Sequence, residues 1–140
     1  SAPPAKVEIK EVAAEVDFSK TPMLLVEDQL VIALDAEEML RDIGVAELTT
    51  VATASDALRA IAAETPGMAV LDVNLGAGTS FVVADELARL SVPYVFATGY
   101  GDSVMIPETL RSIPVVRKPY TAEALKSALE RASALPPNTR

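Results

Sequence analysis

Reactive side chains follow four short apolar runs in this sequence. In chain order they are Glu27 and Asp28, Asp72, Thr98, and Lys118, directly after the runs 23–26, 68–71, 94–97 and 114–117. If the runs are parallel strands of one open sheet, their carboxyl ends lie at one edge, where such sheets build their sites. Three carboxylates, a hydroxyl and an ammonium group would then meet in one place.

Three negative charges are predicted to lie close together, on Glu27, Asp28 and Asp72. At an effective dielectric constant of about 20, each close pair would repel by a few kcal/mol. A cation would relieve this repulsion. An all-oxygen site with open positions suits Mg²⁺, which binds one or two carboxylates and keeps several waters. The alternative for Glu27 and Asp28 is that they only stabilise the start of the following helix through its dipole.

Asp72 ends an apolar run that is predicted to be buried, and a buried carboxylate is costly unless it is paired or functional. One interpretation is a structural salt bridge with Lys118. The other is a nucleophile that attacks phosphorus and forms an acyl phosphate. Transfer of a phosphoryl group needs its three equatorial oxygens neutralised. Mg²⁺ could serve one oxygen, Lys118 the second, and the Thr98 hydroxyl with nearby backbone N–H groups the third.

Composition excludes several other chemistries. The sequence contains no histidine and no cysteine, so it has no Ser-His-Asp triad, no thiolate or histidine zinc site and no phosphohistidine carrier. A net charge of -8 with 12 Lys and Arg residues argues against a nucleic-acid surface. No apolar run approaches the roughly 20 residues that span a bilayer. We therefore expect a cytoplasmic protein that binds neither nucleic acid nor membranes.

The pattern predicts one folded unit over 23–135, preceded by a linker or arm over 1–22 and followed by a tail over 136–140. Five strand-then-helix units indicate an α/β sheet with helices on both faces. We predict Ser55 and Thr121 as N-caps of the second and last helices. The helix after the fourth strand should be short, irregular or mobile, because Pro107 interrupts it.

The chain resembles the receiver domains of two-component response regulators over about 23–135. The resemblance is carried by Glu27-Asp28, Asp72, Thr98 and Lys118-Pro119, each after its strand. It implies a doubly wound, flavodoxin-like sheet of five parallel strands in the order 2-1-3-4-5. It also implies that Asp72 accepts a phosphoryl group from a histidine kinase.

The same resemblance implies a Mg²⁺ site formed by Asp28, Asp72 and the backbone carbonyl of Asn74, with Glu27 acting through water. It implies a signalling domain that catalyses only its own phosphorylation and dephosphorylation. Such a domain acts through protein contacts, as a stand-alone regulator or as the carboxyl-terminal receiver of a hybrid kinase. It also allows a weak homodimer.

Two features indicate a subfamily. Val115 occupies the position, three residues before the lysine, where most receivers carry a switching Tyr or Phe. The segment 96–100, Phe-Ala-Thr-Gly-Tyr, is similar to receivers found beside kinases of the HWE and related types. We therefore expect the switch to involve Thr98, Gly99 and Tyr100, with the segment 99–110 ordering on phosphorylation.

Two alternatives remain open. A haloacid-dehalogenase-like phosphatase also uses an aspartyl phosphate, but it needs a second Asp two residues after the nucleophile as an acid and base. Asn74 stands there and cannot transfer a proton. The other alternative is a pseudo-receiver that binds a partner without being phosphorylated.

Overall fold

The structure is a computed structural model and describes residues 15–136. Five parallel strands form one sheet in the order β2-β1-β3-β4-β5, which confirms the predicted fold. The strands are β1 (Met23–Val26), β2 (Leu48–Val51), β3 (Met68–Asp72), β4 (Tyr94–Thr98) and β5 (Val115–Arg117). The helices are α1 (Leu30–Asp42), α2 (Ala54–Ala63), α3 (Phe81–Arg89) and α4 (Ala122–Ala134).

The three central strands β1, β3 and β4 are buried along their whole length, whereas residues of the outer strands are partly exposed. Alternate residues point to opposite faces of the sheet. Leu24 and Val26 therefore enter a core shared with α2 and α3, while Met23 and Leu25 enter a second core shared with α1 and α4. Burial on both faces explains why these strands are continuous apolar runs in the sequence.

The segment after β4 forms two short 3-10 turns, Asp102–Met105 and Glu108–Leu110, instead of an α-helix. This confirms the prediction of a short, irregular element. Pro107 separates the two turns because it has no backbone N–H to continue the first one. Mobility of the segment remains a prediction.

The predicted N-cap Thr121 is confirmed, since its side chain accepts a hydrogen bond from the Ala124 N–H. The predicted N-cap Ser55 is wrong. The cap of α2 is Thr53, whose side-chain oxygen accepts from the Asp56 N–H at 3.0 Å. Strand β2 ends at Val51 and α2 begins at Ala54, so Ser55 already lies in the first turn of the helix.

The segment before β1 packs against the domain. A 3-10 turn over Phe18–Lys20 places the Phe18 ring, only 4% exposed, in the core between the sheet and helices α1 and α4. Part of the predicted arm over 1–22 therefore contributes to the core. Residues 1–14, and 137–140 of the predicted tail, lie outside the described residues.

Candidate functional site

The carboxyl edge of the sheet carries most of the buried polar side chains of the described chain. Glu27, Asp72 and Thr98 are 4%, 3% and 1% exposed. Glu27 directly follows β1 and donates its backbone N–H to Val51 of β2 at 3.0 Å, while Asp72 is the last residue of β3. The parallel pairing brings these strand ends to the same edge, as the sequence predicts.

Glu27, Asp28 and Asp72 form one acidic cluster, in which one oxygen of each carboxylate lies within 4.8 Å of the others. Asp28 is exposed, so the cluster opens to solvent on that side. The Asp72 Oδ1 atom is buried and has no hydrogen-bond partner among the described residues. A buried oxygen without a partner beside two other carboxylates fits a hard cation such as Mg²⁺.

Lys118 provides the positive charge at this edge. Its Nζ atom lies 2.9 Å from Glu27 Oε1 and 3.1 Å from Asp72 Oδ2. The backbone N–H of Lys118 donates to the Thr98 carbonyl at 2.8 Å, which fixes the start of the side chain. The salt bridge considered as a structural alternative is therefore present, but one ammonium group cannot balance three carboxylates.

The charge imbalance shifts the protonation of the site. Burial, and next the charge of Glu27, raise the pKa of Asp72 to about 7, and the nearby Lys118 only partly opposes this. Burial alone would lower the pKa of Lys118, but its ion pairs with the two carboxylates outweigh burial and raise it. Near neutral pH, Lys118 is thus charged and Asp72 takes up a proton readily unless a cation is bound.

The Glu27 carboxylate also contacts the start of α1. Its Oε2 atom accepts a hydrogen bond from the N–H of Gln29, the N-cap residue of that helix, at 3.1 Å. Glu27 thus has both roles considered from the sequence: it stabilises the start of α1, and it belongs to the acidic cluster.

The loop after β3 approaches the cluster at Gly76. This residue has a φ of +79°, and a Cβ added to it would lie 3.1 Å from Asp28 Oδ2. The Asn74 side chain accepts the Gly76 N–H at 3.0 Å and so holds the turn. Binding of a metal by the Asn74 carbonyl remains a prediction.

Thr98 and Tyr100, both predicted switch residues, border different cavities. Thr98 is buried and lines a cavity of about 340 Å³ together with Val104 and Val115. The Tyr100 side chain is fully exposed and borders a second cavity of about 350 Å³, between α1 and the Lys118 segment. In this structure Tyr100 does not line the cavity beside Val115.

Tyr120 is a site residue that the sequence reasoning did not identify. It lines the second cavity with Lys118, and burial, followed by the charges of Glu27 and Asp72, raises its pKa to about 12. The sequence feature that could have identified Tyr120 is its position two residues after Lys118, close to the end of β5.

Asp102 is a second residue that the sequence reasoning did not identify. Its Oδ2 atom accepts a hydrogen bond from the Gly99 N–H at 3.0 Å.

The family model for the response regulator receiver domain matches residues 23–130 of this chain. The chain belongs to the response regulator receiver domain family. Among curated relatives, this receiver is 28% identical over 127 residues to the phyllosphere-induced regulator PhyR of Methylorubrum extorquens. The match covers 88% of this chain and 46% of PhyR, so the chain spans about half the length of that relative.

Two solved structures are similar to this one in sequence and fold. SdrG from Sphingomonas melonis Fr1 is 36% identical with a TM-score of 0.73, and the match covers 81% of this chain and 96% of SdrG. A structure of the PhyR stress response regulator is 32% identical with a TM-score of 0.71, covering 92% of this chain and 50% of PhyR. Within the described residues, no helix of the receiver is both long and apolar enough to cross a membrane.

Proposed function

We propose that this chain is a phosphoacceptor receiver domain in which Asp72 takes a phosphoryl group from a histidine kinase. The observation that carries the proposal is the state of the two Asp72 oxygens. Oδ2 is held by Lys118 at 3.1 Å, whereas Oδ1 is buried without a partner at the open acidic cluster. Lys118 thus holds one oxygen of the side chain, whereas the hydrogen-bonding capacity of the other oxygen is unused.

In the proposed transfer, an oxygen of the deprotonated Asp72 carboxylate forms a bond to phosphorus. The bond between phosphorus and the imidazole nitrogen of the kinase phosphohistidine breaks, and the imidazole leaves with the electron pair and takes up a proton. Lys118, which the ion pairs keep charged, neutralises one phosphoryl oxygen. Thr98, at the end of β4, would donate its hydroxyl to another.

Asp28, Asp72 and the Asn74 carbonyl would hold Mg²⁺, with Glu27 acting through water. When bound, the metal would neutralise charge on the carboxylates and on the incoming phosphoryl group. Lys118 already pairs with Glu27, which supports a role for Glu27 outside direct coordination.

The finer assignments rest on resemblance. The sequence Phe96-Ala97-Thr98-Gly99-Tyr100 supports a partner kinase of the HWE or a related type, in a cytoplasmic pathway. Similarity to PhyR, a stress response regulator, makes a stress response the first pathway in which to look for that kinase.

Intact-mass spectrometry after incubation with Mg²⁺ and acetyl phosphate tests the proposal. Wild type should gain the mass of one phosphoryl group, and Asp72→Asn should gain none. Asp42→Asn, an exposed acid at the end of α1, is the matched control and should behave as wild type. Wild type without a mass increase would contradict the proposal and favour a pseudo-receiver that binds its partner unphosphorylated.

A further inference from the structure

The backbone amide that follows Thr98 is already occupied by a carboxylate. The Gly99 N–H donates to Asp102 Oδ2 at 3.0 Å in a partly buried hydrogen bond. A Cβ added to Gly99 would lie 3.1 Å from the same oxygen, so the carboxylate lies against the bare face of this glycine. The first backbone amide of the loop after β4 is thus hydrogen-bonded to the Asp102 carboxylate.

This amide lies at the edge of the sheet where the phosphoryl group would form. Asp72 pairs with Ala97 across the β3–β4 ladder, and Gly99 is the second residue beyond Ala97. A phosphoryl group on Asp72 needs donors for three oxygens, and the amide beside the Thr98 hydroxyl is a suitable one. An N–H makes one well-aligned hydrogen bond, so it cannot serve Asp102 and a phosphoryl oxygen together.

We propose that Asp102 is an anionic latch: a positioning residue that holds the Gly99 amide away from the phosphorylation site and is displaced by the phosphoryl group. The inference rests on the proposed phosphoacceptor function. Both competitors are anions that need the same donor, and they repel each other at short range. Arrival of the phosphoryl group therefore removes the bond and pushes the carboxylate away.

Release of Asp102 would act on the segment that follows. Asp102 is the first residue of the 3-10 turn that ends at Met105, and its own N–H donates to the Gly99 carbonyl at 3.2 Å. Val104 in this turn is 79% exposed and borders the cavity of about 340 Å³ beside Thr98 and Val115. The cavity is lined by the apolar side chain of Val115, so an apolar side chain of the released turn has a place to pack.

Titration of the full chain with beryllofluoride and Mg²⁺, followed by NMR, tests the latch. Asp102→Ala removes the competing anion and should bind beryllofluoride about 3- to 10-fold more tightly, the range expected from the net contribution of one typical hydrogen bond. The Gly99 amide proton of the free variant should also move upfield. Asp102→Asn keeps an acceptor without charge and should lie between wild type and Asp102→Ala.

Glu108→Ala is the matched control, because it removes an exposed carboxylate from the next 3-10 turn and should leave the affinity unchanged. General damage to the loop would weaken binding, whereas the latch predicts a gain. Equal or weaker binding by Asp102→Ala and Asp102→Asn, with normal binding by wild type, would overturn the latch alone. No binding by any variant, wild type included, would overturn the proposed function and the latch with it.

Discussion

Lys118 and Asp72, 46 residues apart in the sequence, form an ion pair of 3.1 Å at the carboxyl edge of the sheet. The same ammonium group lies 2.9 Å from Glu27, so one cation connects the ends of β1, β3 and β5. This arrangement leaves the acidic cluster with excess negative charge. This excess charge should cost stability, and the Mg²⁺ ion of the proposed function would relieve it.

Replacement of Lys118 by methionine should destabilise the fold and slow phosphorylation. Both buried carboxylates lose their partner, and the free energy of unfolding at pH 8 should fall by about 3 kcal/mol. The loss should shrink below pH 6, because the Asp72 carboxyl group, whose pKa is about 7, is then mostly protonated. Urea unfolding at the two pH values measures this, with Lys126→Met on the exposed side of α4 as the control. Equal losses at both pH values would contradict the charge argument.

Mg²⁺ affinity should depend on pH through Asp72. Because the pKa of this carboxyl group without metal is about 7, its proton must leave before a metal binds, and the apparent affinity should fall about tenfold per pH unit below 7. NMR titrations at pH 6, 7 and 8 measure it. Asp72→Asn removes the titrating group, so its weaker binding should change much less. A wild-type dissociation constant that is the same at pH 6 and pH 8 would refute this.

The same shift affects the stability of the metal-free domain. The folded-state pKa lies above the ordinary value of 3.8, so the folded state binds more protons than the unfolded state between about pH 4 and pH 7. Stability from this group is therefore present at low pH and lost as the pH rises to 7. Asp72→Asn should raise the free energy of unfolding, and the gain should be about 2–3 kcal/mol larger at pH 8 than at pH 5. Denaturation without Mg²⁺ at both pH values would show it; a loss at pH 8 would contradict it.

Gly76→Ala and Gly78→Ala form a matched pair in the loop beside Asp28. Alanine at 76 is strained by the φ of +79° and places its Cβ 3.1 Å from Asp28 Oδ2. We expect a loss of about 1–2 kcal/mol and weaker Mg²⁺ binding. Gly78 has no atom within 4 Å of an added Cβ, so its variant should stay within about 0.5 kcal/mol of wild type. Thermal unfolding of both variants compares them, and equal effects would argue against the close approach.

Phe18→Ala should show whether the segment before β1 belongs to the stable domain. Removing this buried ring should lower the free energy of unfolding by about 3 kcal/mol. Lys20→Ala, in the same 3-10 turn but exposed, should change it by less than about 0.5 kcal/mol. Chemical denaturation of both variants tests the boundary. A Phe18 effect as small as that of Lys20 would support the predicted arm over 1–22.

The sequence by itself determined which residues end the buried strands. Continuous apolar runs are typical of strands buried on both faces, and the run ending at Asp72 is such a strand. This placed Glu27, Asp72, Thr98 and Lys118 at one sheet edge, while the strand order came from the resemblance. Local signals also predicted Thr121 as a cap and an irregular segment around Pro107, because both depend on residues only a few positions apart.

Only the tertiary structure decided where side chains point once the strands have ended. It joined Lys118 to two carboxylates, turned Tyr100 away from the cavity beside Val115, and attached Asp102 to the Gly99 amide. The Lys118 ion pairs join strand ends that are distant in the sequence, while Tyr100 and Asp102 lie in a glycine-containing loop that has little local preference of its own. For the same reason Phe18, which lies outside every predicted strand and helix, became part of the core.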